Sequence, residues 1–213
     1  MSRTIKSLLT FFALVFAVTA VATEAQAQCP TPPDFPGTPF NPGAPTLSWT
    51  DACGCTITVE WCWRTVMFGG NPLFFDFAIT RITANCPLGV TPCATPDEIR
   101  LQAARLVIGT VNPWGQVIPC CPQTEDRWRL FTVACITDWW YDGVANHHRR
   151  DDCGDDVQCW SRMSVCFTCD NPTDPGDRGE MVVNETIINA GGTCPATWTT
   201  PYQTIVPCNG ACQ

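Results

Sequence analysis

The fold class predicted by the sequence is mainly β and disulfide-rich, an antiparallel or sandwich-like sheet with one α-helix. Three observations carry that expectation. Apolar and polar residues alternate with a period of two over several stretches. All sixteen cysteines follow residue 27. Nineteen prolines and fifteen glycines break the chain into short segments.

Arg3 and Lys6 precede an apolar run, Leu8 to Ala22, which ends in Ala25-Gln26-Ala27. This is the pattern of a cleavable secretory signal over residues 1–27. No later apolar segment approaches membrane-spanning length, so no span is expected after cleavage. Export accounts for the cysteines, because an even set in an oxidising compartment predicts about eight disulfides. They are drawn from Cys29, Cys53, Cys55, Cys62, Cys86, Cys93, Cys120, Cys121, Cys135, Cys153, Cys159, Cys166, Cys169, Cys194, Cys208 and Cys212.

Residues 28–45 hold a run of prolines with Gly37 and Gly43 between them, which favours an extended arm and forbids a central strand. Such an arm lies over its own domain or docks on another subunit through Phe35 and Phe40. Residues 46–213 read as one domain. In Cys53 to Arg64, Ile57, Val59, Trp61 and Trp63 share one face, opposite Thr56, Thr58, Glu60 and Arg64. Cys62 falls on the polar face, so something bearing a cysteine should cover that face, and the arm beginning at Cys29 is a candidate. A Gly-Gly-Asn-Pro turn within 67–72 leads to a second strand, 73–82, in which Phe75, Phe77 and Ile79 alternate with Asp76 and Thr80.

The helix is expected over about 95–108. Thr95 is the N-cap, Pro96 fits the first position, Glu98 completes a capping box and Gly109 can end the helix. Ile99, Ala103, Leu106 and Val107 face the core in this reading, with Asp97, Arg100 and Gln102 towards water. Further strands are expected at 127–137, 159–169 and 181–188, with an acidic loop at 142–156 holding both histidines. The vicinal Cys120 and Cys121 are expected to bond two different partners, as are Cys166 and Cys169.

Without the leader, ten arginines face nineteen acids, a formal charge of −9, and no lysine remains. That balance argues against nucleic acid and anionic membranes as partners. The missing lysine removes Schiff-base chemistry and Walker-type phosphate loops. Ser48, Ser161 and Ser164 sit in no nucleophile elbow. Carboxylate chemistry survives, with Glu60, Asp76 and Asp138 on or beside aromatic strands as candidate acids of a glycosidase.

The acidic loops read first as solvated turns, with calcium as the better-motivated ion for them, and no other cofactor is implied. Asp151, Asp152, Asp155 and Asp156 cluster in one loop, and Asp170, Asp174 and Asp177 in the next. His147-His148 reads as part of a solvated loop. Trp139-Trp140-Tyr141 is the candidate binding surface, since consecutive strand residues point to opposite sides and cannot all be buried on one.

These features predict a non-enzymatic structural or interaction protein, secreted, cell-surface or periplasmic, with the arm as an assembly element and a homo-oligomer, an extracellular protein or a glycan as partner. The alternatives are a carbohydrate- or surface-ligand-binding module and a carboxylate-based glycoside hydrolase.

Overall fold

A computed structural model describes residues 29–30, 38–133, 135–144, 146–152, 158–171, 178–189, 197–199 and 205–210. The predicted leader and Phe35 lie outside them. Strands predominate, as the alternation requires. The spine is a hairpin of β3 (Thr56–Phe68) and β4 (Asn71–Asn85). Its turn is Gly69-Gly70, with φ of 57° and 83°, the left-handed pair that a two-residue hairpin needs and that glycine adopts without a Cβ penalty.

β1 (Asn41–Pro42) and β2 (Leu47–Thr50) pair with β3. β5 (Glu125–Val133) pairs with the early part of β4, and β9 (Gln158–Phe167) and β10 (Met181–Asn189) continue outwards. The late part of β4 instead takes β8 (His147–Arg150), which pairs in turn with β7 (Trp140–Tyr141). A second sheet holds β6 (Cys135–Thr137), β11 (Thr197–Thr199) and β12 (Ile205–Gly210).

The expected antiparallel sheet is in fact mixed, because β4 and β5 run parallel. A parallel pair needs a crossover, and the helix with its flanking loops between residues 86 and 124 supplies it. Within the hairpin, Glu60 pairs with Arg81 but Trp61 pairs with Ile79, so Thr80 is an extra residue. That bulge moves the inward face of β4 from Phe75, Phe77 and Ile79 to Ile82 and Ala84, keeping both halves over the core.

The helix, α1 (Pro96–Arg105), has both bonds of the predicted capping box. It does not stop at Gly109. A wider π turn carries it from Leu106 to Val111, and Asn112, at φ 36°, ends it with side-chain bonds to the backbone of Gln116. Gly109 packs instead against the end of the Met181 side chain, whose Cε would lie 2.4 Å from a Cβ there and can swing aside. Arg100 does not face water as expected. It is buried between Asp97, at 2.8 Å, and Glu185 of β10, at 3.1 Å, so an ion pair rather than a methyl contact clamps the helix to the sheet edge.

One face of the sheet packs Ile57, Val59, Trp61, Phe77, Leu130, Met163 and Val165 against Ile99, Ala103 and Val107. Trp114, Trp128, Phe75 and Trp63 join as an aromatic chain with centroid separations of 4.8 to 5.8 Å. The opposite face, read as polar from the sequence, is closed as well. Phe40 of the arm packs there with Cys62, Ala78 and Phe131, and Cys29 bonds Cys62.

Four more bridges are defined: Cys53–Cys93, Cys55–Cys86, Cys120–Cys169 and Cys121–Cys166. Both vicinal cysteines, and both members of Cys166-Phe-Thr-Cys169, go to separate partners. Cys135 and Cys159 are disulfide-bonded too. Cys153, Cys194 and Cys212, and the side chain of Cys208, lie outside the described residues. Among those residues no helix is long and apolar enough to cross a membrane.

Candidate functional site

The sequence-predicted aromatic triplet does not form a flat platform. Trp140 is buried and donates through Nε1 to Asp151, 2.9 Å away. Trp139 is half-buried and donates to the Ala94 carbonyl at 3.0 Å, under the Arg150 guanidinium. Tyr141, 53 % exposed, is the member of the triplet most open to solvent. Arg150 is itself buried and bonds the Thr137 and Ala94 carbonyls. Burial lowers its pKa to about 10, offset in part by Asp138.

Of the predicted calcium ligands, Asp151, Asp152 and Asp170 lie among the described residues. Asp151 is occupied by Trp140 and Arg149. Asp152 pairs with Ile136 in a β-bridge, and Asp170 is exposed beyond β9. Asp155, Asp156, Asp174 and Asp177 lie outside the described residues.

The histidines are not in a solvated loop but in β8, where pairing with β4 forces alternate orientations. His147 Nδ1 bonds the Asp142 carboxylate, while His148 is buried edge-on to Tyr141. Burial holds His148 below the ordinary 6.5, reinforced by His147 and opposed by the Asn146 backbone and by Asp142. A depressed folded value means that the unfolded chain binds the proton first. Stability contributed at this site is therefore complete above pH 6.5 and is lost as pH falls through the lower folded value. The melting temperature is expected to drop from about pH 7.5 to about 5.5, across the ~6.5 imidazole value, by less in His148→Phe than in the parent, as scanning calorimetry would show.

A cleft of about 330 Å³ lies between the β2 end with its following loop and the outer face of α1. Glu98, Leu101, Gln102 and Arg105 recur at helical spacing on the stripe turned away from Ile99 and Ala103, and Trp49 and Asp51 face them. Asp51 builds the join. Its Oδ1 accepts the Cys53 and Cys55 N–H groups at 3.0 and 2.8 Å, and its Oδ2 those of Cys93 and Ala94 at 2.9 and 3.3 Å. Burial would raise the Asp51 pKa, but these four bonds outweigh it and hold the carboxyl below the ordinary 3.8. Cys53, Cys93 and Asp51 lie close enough to suggest a metal site, yet the two sulfurs are bonded to each other and offer no thiolate.

Asp51→Asn turns an amide towards two backbone donors. The expected loss is about 1–3 kcal/mol at neutral pH, measured by denaturant titration. Because a lowered carboxyl pKa contributes stability that vanishes as pH falls from 3.8 through the folded value, the gap between parent and variant should close in acid.

The binding prediction from the sequence missed this cleft. Trp49 was one indole of nine, and the outer stripe of α1 reads as an ordinary solvated face. Nothing in the local sequence says that the Cys53–Cys93 bridge brings the two together.

Comparison of the chain with protein-family models, with curated proteins and with solved structures finds no match in any of the three.

Proposed function

We propose that the protein is a non-enzymatic structural or interaction domain of the extracellular space or cell envelope. The observation that carries this reading is how the acids are used. A glycosidase needs two carboxyl groups flanking one bond. Here Glu60 pairs with Arg81 at 3.5 Å, Asp76 lies buried between Arg64 and Arg129, and Asp138 acts on Arg150. Asp51, Glu98 and Glu185 are likewise engaged, by backbone N–H groups, the helix cap and Arg100. These carboxylates act as fasteners.

The density of disulfides fits an oxidising compartment, and cross-links on both sheet faces suit a domain that must resist opening outside the cell. The arm supports an interaction role in a narrower sense than assembly, since Cys29 and Phe40 are both engaged on their own domain.

The test is turnover. Purified full-length protein incubated with soluble polysaccharides should release no new reducing ends. Saturable release that is abolished by Glu60→Gln or Asp138→Asn would overturn the reading. Melting with calcium or with chelator checks the ion separately: equal melting temperatures are expected, and stabilisation by calcium would assign it to the acidic loops.

A further inference from the structure

We propose that the cleft beside Trp49 binds a neutral sugar unit of a glycan. This deepens the interaction reading and rests on it. At about 330 Å³ the cleft is at the small end of ligand sites, roughly 300–1,000 Å³, which suits one unit of a chain rather than a folded peptide.

Its chemistry selects the ligand. Among the described residues, the Trp49 indole N–H, the Gln102 carboxamide and the Arg105 guanidinium engage no protein group. Glu98 uses Oε2 for the Thr95 N–H and hydroxyl, at 2.7 and 3.0 Å, which leaves Oε1 as an acceptor. Trp49 and Leu101 add apolar surface between these polar groups. An apolar ligand would strip water from four polar groups and return nothing. A polyanion would meet Glu98 and Asp51, and a cation would meet Arg105. A pyranose satisfies the set, with one C–H face for the indole and equatorial hydroxyls that can donate to the carboxylate and carboxamide oxygens and accept from the carboxamide and guanidinium N–H groups.

The walls are already in place. Cys53–Cys93 and the four bonds to Asp51 tie the β2 loop to the start of α1, so little ordering is required on binding.

The experiment is calorimetric titration of the full-length protein with soluble oligomers of glucose, mannose, xylose, N-acetylglucosamine and galacturonate. Saturable binding to at least one neutral oligomer is expected. Trp49→Ala should weaken it at least about tenfold, the loss typical of a central aromatic contact. Trp49 also touches the core, so Gln102→Ala and Arg105→Ala, both on the outer helix face, serve as variants that leave the fold intact and should each weaken binding several-fold. Tyr141→Ala should bind as the parent does. The proposal is overturned if no neutral oligomer binds, if only galacturonate binds, or if the cleft variants bind like the parent. Those outcomes leave the non-catalytic reading standing, whereas cleavage of an oligomer during titration would remove that reading instead.

Discussion

Asp76→Asn is expected to cost about 3–5 kcal/mol, the largest effect of any single polar substitution among the described residues. In a domain of this size that lowers the melting temperature by about 6–20 °C. Arg64, Asp76 and Arg129 are adjacent in one row across β3, β4 and β5. They are 0, 0 and 2 % exposed. Arg64 Nε donates to Oδ2, and Arg129 Nε and Nη2 donate to Oδ1 and Oδ2, each at 2.7 Å. Aromatic rings close the surroundings, with the Arg64 guanidinium 4.9 Å from the Phe40 centroid and that of Arg129 4.0 Å from Phe74. An asparagine keeps the shape but removes the charge on which three N–H donors converge, and sets its own amide hydrogens against a guanidinium. The triple replacement Arg64→Met, Asp76→Leu, Arg129→Met removes every charge together and should recover most of the loss, because buried ion pairs gain little over apolar residues of similar size. Calorimetry on the two variants decides it. A triple variant no more stable than Asp76→Asn would show that the row has a role apolar packing cannot replace.

The legibility of this fold follows the range of the forces involved. The β3–β4 hairpin was readable because its alternation and its Gly69-Gly70 turn are local, and the capping box Thr95-Glu98 spans three residues. Cysteine geometry was readable in outline: Cys62 on the polar face required a covering cysteine, and Cys29 supplies it. Alternation failed for Arg64 and Asp76, because period two assigns a face and cannot say whether water reaches it. The same failure placed Arg100 in solvent, since its partner Glu185 is distant in sequence. The parallel pairing of β4 with β5 and the approach of Trp49 to α1 depend on crossovers and bridges whose partners a single sequence does not order. The candidate surface at Trp139-Trp140-Tyr141 was chosen by local crowding. The fold relieves that crowding by giving each indole N–H an acceptor, Ala94 for Trp139 and Asp151 for Trp140.

Releasing the arm is expected to convert an internal strap into an exchangeable one. Between Cys29–Cys62 and Pro45 the arm is fastened at several points. Asn41 and Pro42 pair with Trp63 and Cys62, and the Thr38 carbonyl accepts from Arg64 at 3.0 Å. Gly43 donates to the Trp61 carbonyl at 2.7 Å, and a Cβ there would lie 2.3 Å from the Trp61 ring, so only glycine lets the backbone pass. Phe40 meets Phe131 edge-on at 5.9 Å. Cys29→Ser with Cys62→Ser should cost about 3–4 kcal/mol by restoring entropy to the unfolded loop. Phe40→Ala should cost about 3 kcal/mol. The combination should fall short of the sum, because either change loosens the strap that the other holds. Loss of the bridge also frees the arm to lie across β3 of a second copy through the same pairings, the usual route to a swapped dimer. Sizing across a concentration series should therefore show a monomeric parent and a concentration-dependent dimer of the Cys29→Ser, Cys62→Ser variant, while adding Phe40→Ala should return it to monomer by removing the anchor of the exchanged arm. A parent that is already dimeric and falls to monomer when the bridge is removed would instead make the arm an assembly element between subunits.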